Sequence, residues 1–129
     1  MSMISEIAEY LAGQGVGTEG TNLFHAYLPD NATLPVVLVR DTQGPTPDPY
    51  IPDIRTPTFQ IFIRSADYDT GNSKLSTIRG LLQRKLMTTL VDSGILFRKI
   101  VANSEGGYLE KNESGQHEFS MNFSAEIVE

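Results

Sequence analysis

Apolar and polar residues alternate most regularly near the end of the chain, between residues 118 and 127. The apolar positions of this segment are Phe119, Met121, Phe123, Ala125 and Ile127. A period of two predicts a strand with one buried and one solvent-exposed face, which is typical of antiparallel sheets. A similar alternation predicts a second strand over residues 58–65, whose inward positions are Phe59, Ile61 and Ile63. Phe62 is then an apolar residue on the polar face of that strand.

Four shorter segments also have strand patterns. Residues 23–28 and 34–40 flank the turn residues Pro29-Asp30-Asn31, and we expect them to form a hairpin. Residues 36–39 are continuously apolar, which predicts a strand covered on both faces. The strand expected at residues 96–103 has Leu96, Ile100 and Ala102 opposite Phe97, Lys99 and Val101. A short strand is expected at residues 108–110, followed by a polar loop.

Two segments have apolar residues at helical spacing. The first predicts a helix over residues 3–12 with Ser2 as its N-cap. Its apolar positions are Ile4, Ile7, Ala8 and Leu11, and its expected solvent-exposed positions are Ser5, Glu6 and Glu9. The second predicts a helix from about residue 73 to residue 90, which at 1.5 Å per residue is roughly 26 Å long. Its apolar stripe consists of Leu75, Ile78, Leu82, Leu86 and Leu90, and Leu81 lies outside that stripe.

The order of these elements predicts an α+β fold: a mixed or antiparallel sheet with the N-terminal helix and the long helix packed on one face. The length fits one domain over residues 1–129. Residues 41–57 contain five of the seven prolines, which predicts an extended arm. Tyr50, Ile51 and Ile54 lie within this arm. We expect them to dock either on a neighbouring subunit or back on the same domain.

Charge and composition exclude several classes of function. The net charge is −6, and an acidic protein repels duplex phosphates, so we expect no sequence-specific nucleic-acid partner. The charge is uneven: residues 70–91 carry +4 without any acidic residue, and the remainder carries −10. No apolar run approaches the ~20 residues of a membrane span, and no basic segment typical of a signal peptide precedes the first apolar residues. The absence of cysteine excludes disulfides and thiolate chemistry.

Three patterns that resemble chemical motifs are in the wrong context. Residues 15–20 spell a dinucleotide-binding glycine pattern, but they follow a predicted helix instead of a strand. Residues 67–72 resemble the start of a calcium loop, but the glycine is one position early, and a helix-capping turn is favoured. His25 and His117 lack the partners of a catalytic triad or a closed zinc site. We therefore expect neither enzymatic activity nor a metal or cofactor.

Three segments carry a resemblance to a known family. They are Pro57-Thr58-Phe59-Gln60-Ile61-Phe62-Ile63-Arg64-Ser65, Asp67-Tyr68-Asp69 and Ile78-Arg79-Gly80-Leu81-Leu82. Together they resemble tailed-phage minor capsid proteins, which are related to tail terminators, or tail-completion proteins. Residues 34–41 and 47–50, the N-terminal helix and the strand-rich ending are also similar to that family.

The resemblance implies a structural virion protein at the head–tail joint, assembled in the host cytoplasm. Tail terminators form rings, typically hexameric, that cap the tail tube and present a surface to the head connector. The implied partners are therefore other copies of the chain, the tail-tube protein and the head-connector protein. Candidate subunit-interface residues are Tyr50, Ile51, Ile54, Phe62 and Leu81. A small stand-alone domain that binds a peptide or a small ligand is the alternative interpretation of the sequence.

Overall fold

The computed structural model describes residues 2–42, 54–83, 85–92, 94–103 and 106–128. This part of the chain contains two helices and one mixed sheet of eight strands. The helices are α1 (Met3–Gly13) and α2 (Tyr68–Leu82). The strands are β1 (Leu23–His25), β2 (Val36–Thr42), β3 (Ile54–Arg55), β4 (Thr58–Ser65), β5 (Lys85–Thr89), β6 (Leu96–Ala102), β7 (Gly107–Lys111) and β8 (His117–Val128). The predicted α+β class with a mixed sheet is confirmed.

The strand on which the sheet is built is β8, which pairs with four others. Along one edge it pairs with β4 at residues 117–124 and with β3 at residues 127–128. Along the other edge it pairs with β7 at residues 117–120 and with β6 at residues 123–128. Six strands follow the order β1-β2-β4-β8-β6-β5, and β3 and β7 are attached to β8 outside this order. Only the β1–β2 pair of strands is parallel.

Alternate residues of β4 and β8 form the core, as their period of two predicts. The buried set is Phe59, Ile61, Ile63, Phe119, Met121, Phe123, Ala125 and Ile127. The rings of Phe59 and Phe123, which are opposite each other in the register, stack with centroids 5.1 Å apart. These side chains join the buried residues of both helices in one hydrophobic cluster. One face of the sheet is thus covered by helices, and we call the opposite side the helix-free face.

Helix α1 begins where the sequence predicts, with the Ser2 hydroxyl accepting a hydrogen bond from the Ser5 amide at 3.2 Å. Its predicted apolar stripe is buried. Glu6, expected on the solvent-exposed face, is instead only 2% exposed. Its carboxylate accepts a hydrogen bond from the Ile95 amide at 2.8 Å. A buried backbone donor in the segment before β6 requires such a partner, and Glu6 supplies it.

Helix α2 differs from the prediction at both ends. It begins at Tyr68 because Asp67 caps it, and it ends at Leu82 instead of about residue 90. Leu75, Ile78 and Leu82 are buried as expected, but Leu86 is 65% exposed in β5.

Pairing with β6 is the physical reason for this early end. The Gln83 side chain accepts a hydrogen bond from the Ala102 amide at 2.7 Å, and the next residues pair with β6. Thr88 and Thr89 also favour a strand, since β-branched residues have strand propensity. Tertiary pairing therefore overrides the helical spacing of the leucines.

The predicted hairpin of the first two strands is wrong, because β1 and β2 pair in parallel, with Leu23 opposite Val37. The connection over residues 26–35 returns the chain to the end of the sheet at which β1 begins. Ala26 leaves β1 with φ 75°, and the Thr33 amide donates to the Thr21 carbonyl at 3.2 Å. The turn residues 29–31 thus lie within a crossover instead of a hairpin turn. The coverage of both faces of residues 36–39 is confirmed, since all four side chains are buried.

The predicted faces of β6 are also wrong at one position. Phe97 and Ile100 were placed on opposite faces, but both are fully buried. The register against β8 shifts between Phe97 and Lys99, so Arg98 is an extra residue in the ladder. Such a bulge turns the following side chains to the other face.

Most of the predicted proline-rich arm lies outside the described residues. β2 continues to Thr42, and β3 begins at Ile54. Residues 43–53, which include Tyr50 and Ile51, fall between these strands and are not described.

Two helical glycines provide a matched test of packing beneath α2. A methyl group at Gly71 would overlap the ring of Phe119, whereas nothing lies within 4 Å of one at Gly80. We expect Gly71→Ala to destabilise the fold by about 1–3 kcal/mol through overpacking. We expect Gly80→Ala to stabilise it by about 0.5–1 kcal/mol, because alanine is the better helix former. Urea unfolding followed by circular dichroism measures both, and equal effects of the two substitutions would contradict the packing of α2 on β8.

Candidate functional site

Polar side chains form a connected lattice across the helix-free face. Arg40 Nε donates to Gln60 Oε1 at 2.6 Å, and Gln60 Nε2 donates to Asn122 Oδ1 at 3.1 Å. These residues lie side by side on β2, β4 and β8. Four residues further along β4, Arg64 Nη2 lies 2.9 Å from Glu118 Oε2. Side chains held in this way lose little further freedom on contact with a partner, so the face is pre-organised for docking.

Phe62 lies within this lattice. The guanidinium carbons of Arg40 and Arg64 are each 5.6 Å from the centre of its ring. This is the range of cation–π attraction, worth about 0.5–1 kcal/mol at exposed sites. Phe62 is half-buried by these neighbours. The polar-face position predicted for Phe62 is therefore correct, and its ring remains partly accessible between two cations.

An apolar row crosses the helix-free face near the end of β8. Ile54 and Leu96 both lie opposite Val128 in the register, and all three are half-buried. Val128 points away from the core because the adjacent Ile127 points into it. A separate surface depression of about 360 Å³ lies along β6 and β8 and is lined in part by Val101 and Ser124.

The structure separates the predicted interface residues. Phe62 lies opposite Ser120, and Ile54 lies opposite Val128, eight residues further along β8. At 3.3 Å per residue this separation is roughly 26 Å. Leu81 belongs to α2 on the other side of the sheet and packs half-buried against the core cluster. Tyr50 and Ile51 lie outside the described residues.

An exposed aromatic cluster was missed by the sequence interpretation. Tyr68 and Tyr108 have ring centroids 5.2 Å apart and are 43% and 42% exposed. The Tyr108 hydroxyl lies 3.0 Å from His117 Nδ1, and both tyrosine rings contact Phe119. The cluster was missed because Tyr68 was assigned to a turn, although it is the first residue of α2.

The ionisable side chains with a shifted pKa, Lys74 and Asp67, make hydrogen bonds that stabilise the fold. Burial lowers the pKa of Lys74, whose ammonium group donates to the Val16 carbonyl and so joins α2 to the glycine-rich loop after α1. Within the described ranges, no group of three or more His, Asp or Glu residues could hold a metal ion. None of the helices described has the length and apolar character that a membrane crossing requires.

The N-cap of α2, which positions Tyr68, contributes to the stability of the fold in a pH-dependent way. The Thr70 amide and hydroxyl both donate to the Asp67 carboxylate at 3.0 Å and lower its pKa below the ordinary 3.8. A lowered folded-state pKa means that this stabilisation is present above pH 3.8 and is lost as the pH falls through the folded value. We expect Asp67→Ala to lower the melting temperature at neutral pH, with a difference that shrinks below about pH 4.

Asp67→Asn is the matched control for this substitution, because asparagine retains a capping oxygen without a titrating carboxylate. It should retain most of the stability at neutral pH. Melting curves that show the same loss for Asp67→Ala at every pH would contradict the role of the ionised carboxylate.

The surfaces described above do not by themselves identify the protein family, but comparison with known proteins does. The sequence model of a family described as "Bacteriophage tail terminator protein" matches residues 10–129 of the 129. A search of curated proteins finds no match. The matching family is structural and non-enzymatic, and its members are virion-associated components of phage tails. Because the match spans nearly the whole chain, the protein belongs to the bacteriophage tail terminator family.

Proposed function

We propose that this chain is a ring subunit that caps the tail tube and joins it to the head connector. The observation that carries the proposal is the family match over residues 10–129. The protein would act at the head–tail joint of the virion after assembly in the host cytoplasm. Its partners would be other copies of itself in a hexamer, the tail-tube protein and the head-connector protein. The mechanism is complementarity of surfaces, without turnover.

A cyclic ring needs two different patches per subunit, which meet head to tail. Ile54 and Phe62 lie on the helix-free face, whereas Leu81 lies on the side of the sheet that carries the helices. These residues therefore suit different contacts of one subunit. Tyr50 and Ile51 are four and three residues before Ile54 in the sequence, and we assign them to the same contact.

The arrangement of the helix-free face supports a docking role. Its hydrogen-bonded polar lattice surrounds a half-buried aromatic ring, Phe62. Contact surfaces commonly combine a central aromatic residue with ordered polar neighbours, including arginine. The lattice would fix the orientation of a partner, and the ring would supply apolar contact area.

Tube growth in the presence of the chain tests this function. Purified tube protein of the same phage is polymerised with and without the chain, and tube lengths are measured by negative-stain electron microscopy. We expect shorter tubes that carry one ring at a single end. Tubes of unchanged length, with no density at their ends, would contradict the proposal.

Substitutions on the helix-free face test which surface makes the contact. We expect Phe62→Ala and Ile54→Asp each to weaken capping by about tenfold or more, equivalent to about 1.4 kcal/mol of lost binding. Melting curves should change little, because both side chains are only half-buried. Ser76→Asp, at an exposed position of α2, is the control and should cap normally. If both variants cap tubes normally, the helix-free face does not make this contact.

A further inference from the structure

The three most exposed large apolar side chains of the described residues lie at the two ends of the sheet. Tyr27 is 73% exposed and follows β1, the first strand in the sheet order. Leu86 and Met87 are each 65% exposed and belong to β5, the last strand. Exposed apolar side chains grouped at defined positions mark contact surfaces. One subunit therefore exposes large apolar side chains at opposite ends of the sheet.

The patch at β5 consists of Leu86, Met87 and Lys99, and we call it the edge patch. Leu86 lies opposite Lys99 in the register, so their side chains share one face of the sheet. In the described residues β5 pairs with β6 alone, so its other edge is open. An open edge with apolar side chains favours pairing with another chain. Met87 has φ 46°, a left-handed conformation that long side chains rarely adopt and that is concentrated at functional positions.

The patch at the opposite end consists of Glu19, Tyr27 and Asp30, and we call it the loop patch. All three are exposed. The outward side of β1 is already occupied by its preceding turn, since the Gly20 amide donates to the Leu23 carbonyl at 3.0 Å. This end of the sheet therefore presents loop side chains instead of an open strand.

The two patches have opposite charge. Residues 1–39 contain no Lys or Arg, and residues 70–91 contain no Asp or Glu. Next to Glu19, His25 Nδ1 is 4.0 Å from Glu19 Oε1. At the edge patch, Glu126 is paired mainly with Arg98 at 2.9 Å, whereas Lys99 is 4.0 Å from it and its side chain is 54% exposed. Lys85 is not part of this patch, because it lies opposite the buried Ile100 and its ammonium group is 5.4 Å from the centre of the Tyr10 ring on the helix-bearing face.

We propose that a second copy of this chain docks head to tail, with the loop patch of one subunit on the edge patch of the next. The inference rests on the proposed ring function and adds a contact between neighbouring subunits to those proposed for Ile54, Phe62 and Leu81. Tyr27 would pack on Leu86 and Met87, in the manner of sulfur–aromatic contacts. The carboxylates of Glu19 and Asp30 would face the ammonium group of Lys99. Because the two patches differ, the contact is heterologous and repeats around a ring.

The charges also favour this arrangement over symmetric pairing of two β5 edges. Symmetric pairing would bring Lys99 of one edge patch close to Lys99 of another. Like charges in contact disfavour association and suppress wrong partners. The same repulsion separates two loop patches, so each patch is complementary only to the other.

Cysteine crosslinking tests the contact without background, since the chain has no cysteine. Tyr27→Cys and Met87→Cys variants are prepared separately, mixed, and treated with a short bis-maleimide, both in solution and on tube ends. We expect a crosslinked dimer only in the mixture. The variant with both substitutions should give a ladder that ends at the ring size. Thr77→Cys, at an exposed position of α2, replaces Tyr27→Cys in the control mixture and should give no dimer.

The outcomes separate this inference from the ring function itself. Dimers formed by Met87→Cys alone would indicate symmetric pairing of β5 edges and would overturn the inference. Arrest of tube growth by both variants without any crosslink would also overturn it, while the capping function would stand. If the unmodified chain does not arrest growth, the proposed function fails independently of the crosslinking result.

Charge reversal provides a second test that does not depend on crosslinker reach. Lys99→Glu makes both patches acidic, and Glu19→Lys with Asp30→Lys makes both basic. We expect each of these variants alone to assemble at least about tenfold more weakly, because like charges meet at the contact. An equal mixture should recover assembly by alternating the two variants around the ring. If circular dichroism shows that both variants are folded but their mixture does not assemble, the proposed pairing is contradicted.

Discussion

The register of β8 is the constraint on which the rest of the structure depends. This strand of twelve residues pairs with β4 and β3 on one edge and with β6 and β7 on the other. Its strict alternation decides which side of every neighbouring strand is buried. A slip of one residue would exchange the two faces, moving Phe119 and Phe123 to the surface and Glu118 into the core. The helices, the core and the polar lattice all follow from this one assignment.

The sequence predicted the elements in which local pattern and tertiary environment agree. In α1, β4 and β8 the side-chain period matches the face that is buried, so their core residues were identified correctly. The leucine spacing after residue 82 is equally regular, but Leu86 belongs to a strand because pairing with β6 is more favourable there. The parallel pairing of β1 and the burial of Glu6 depend on distant partners, Val37 and Ile95, which no local pattern reveals.

The sequence predicted the candidate surfaces about as well as it predicted the elements of the fold. Phe62 was singled out because it interrupts a polar face, and the structure places it there between two arginines. Leu81 was singled out because it lies outside the helical stripe, yet it packs half-buried against the core cluster. Leu86 was assigned to the core as a consequence of the wrong helix boundary. Tyr27 lay in a segment interpreted as a hairpin. Errors in element type therefore hid the two patches with the most exposed apolar side chains.

The monomer has one core on the helix-bearing face, built from both helices and alternate residues of β2, β4 and β8. Phe97 and Ile100 of β6 join it on either side of the bulge. Large apolar side chains that remain exposed contribute little to this core. Their burial yields free energy only when the protein binds a partner or another subunit. The central strands hold the two outermost strands of the sheet at fixed relative positions. In the proposed ring, the angle between neighbouring subunits would therefore be set by the sheet itself. A rigid sheet with different patches at its two ends would close a ring without refolding, and the ring size would follow from its twist.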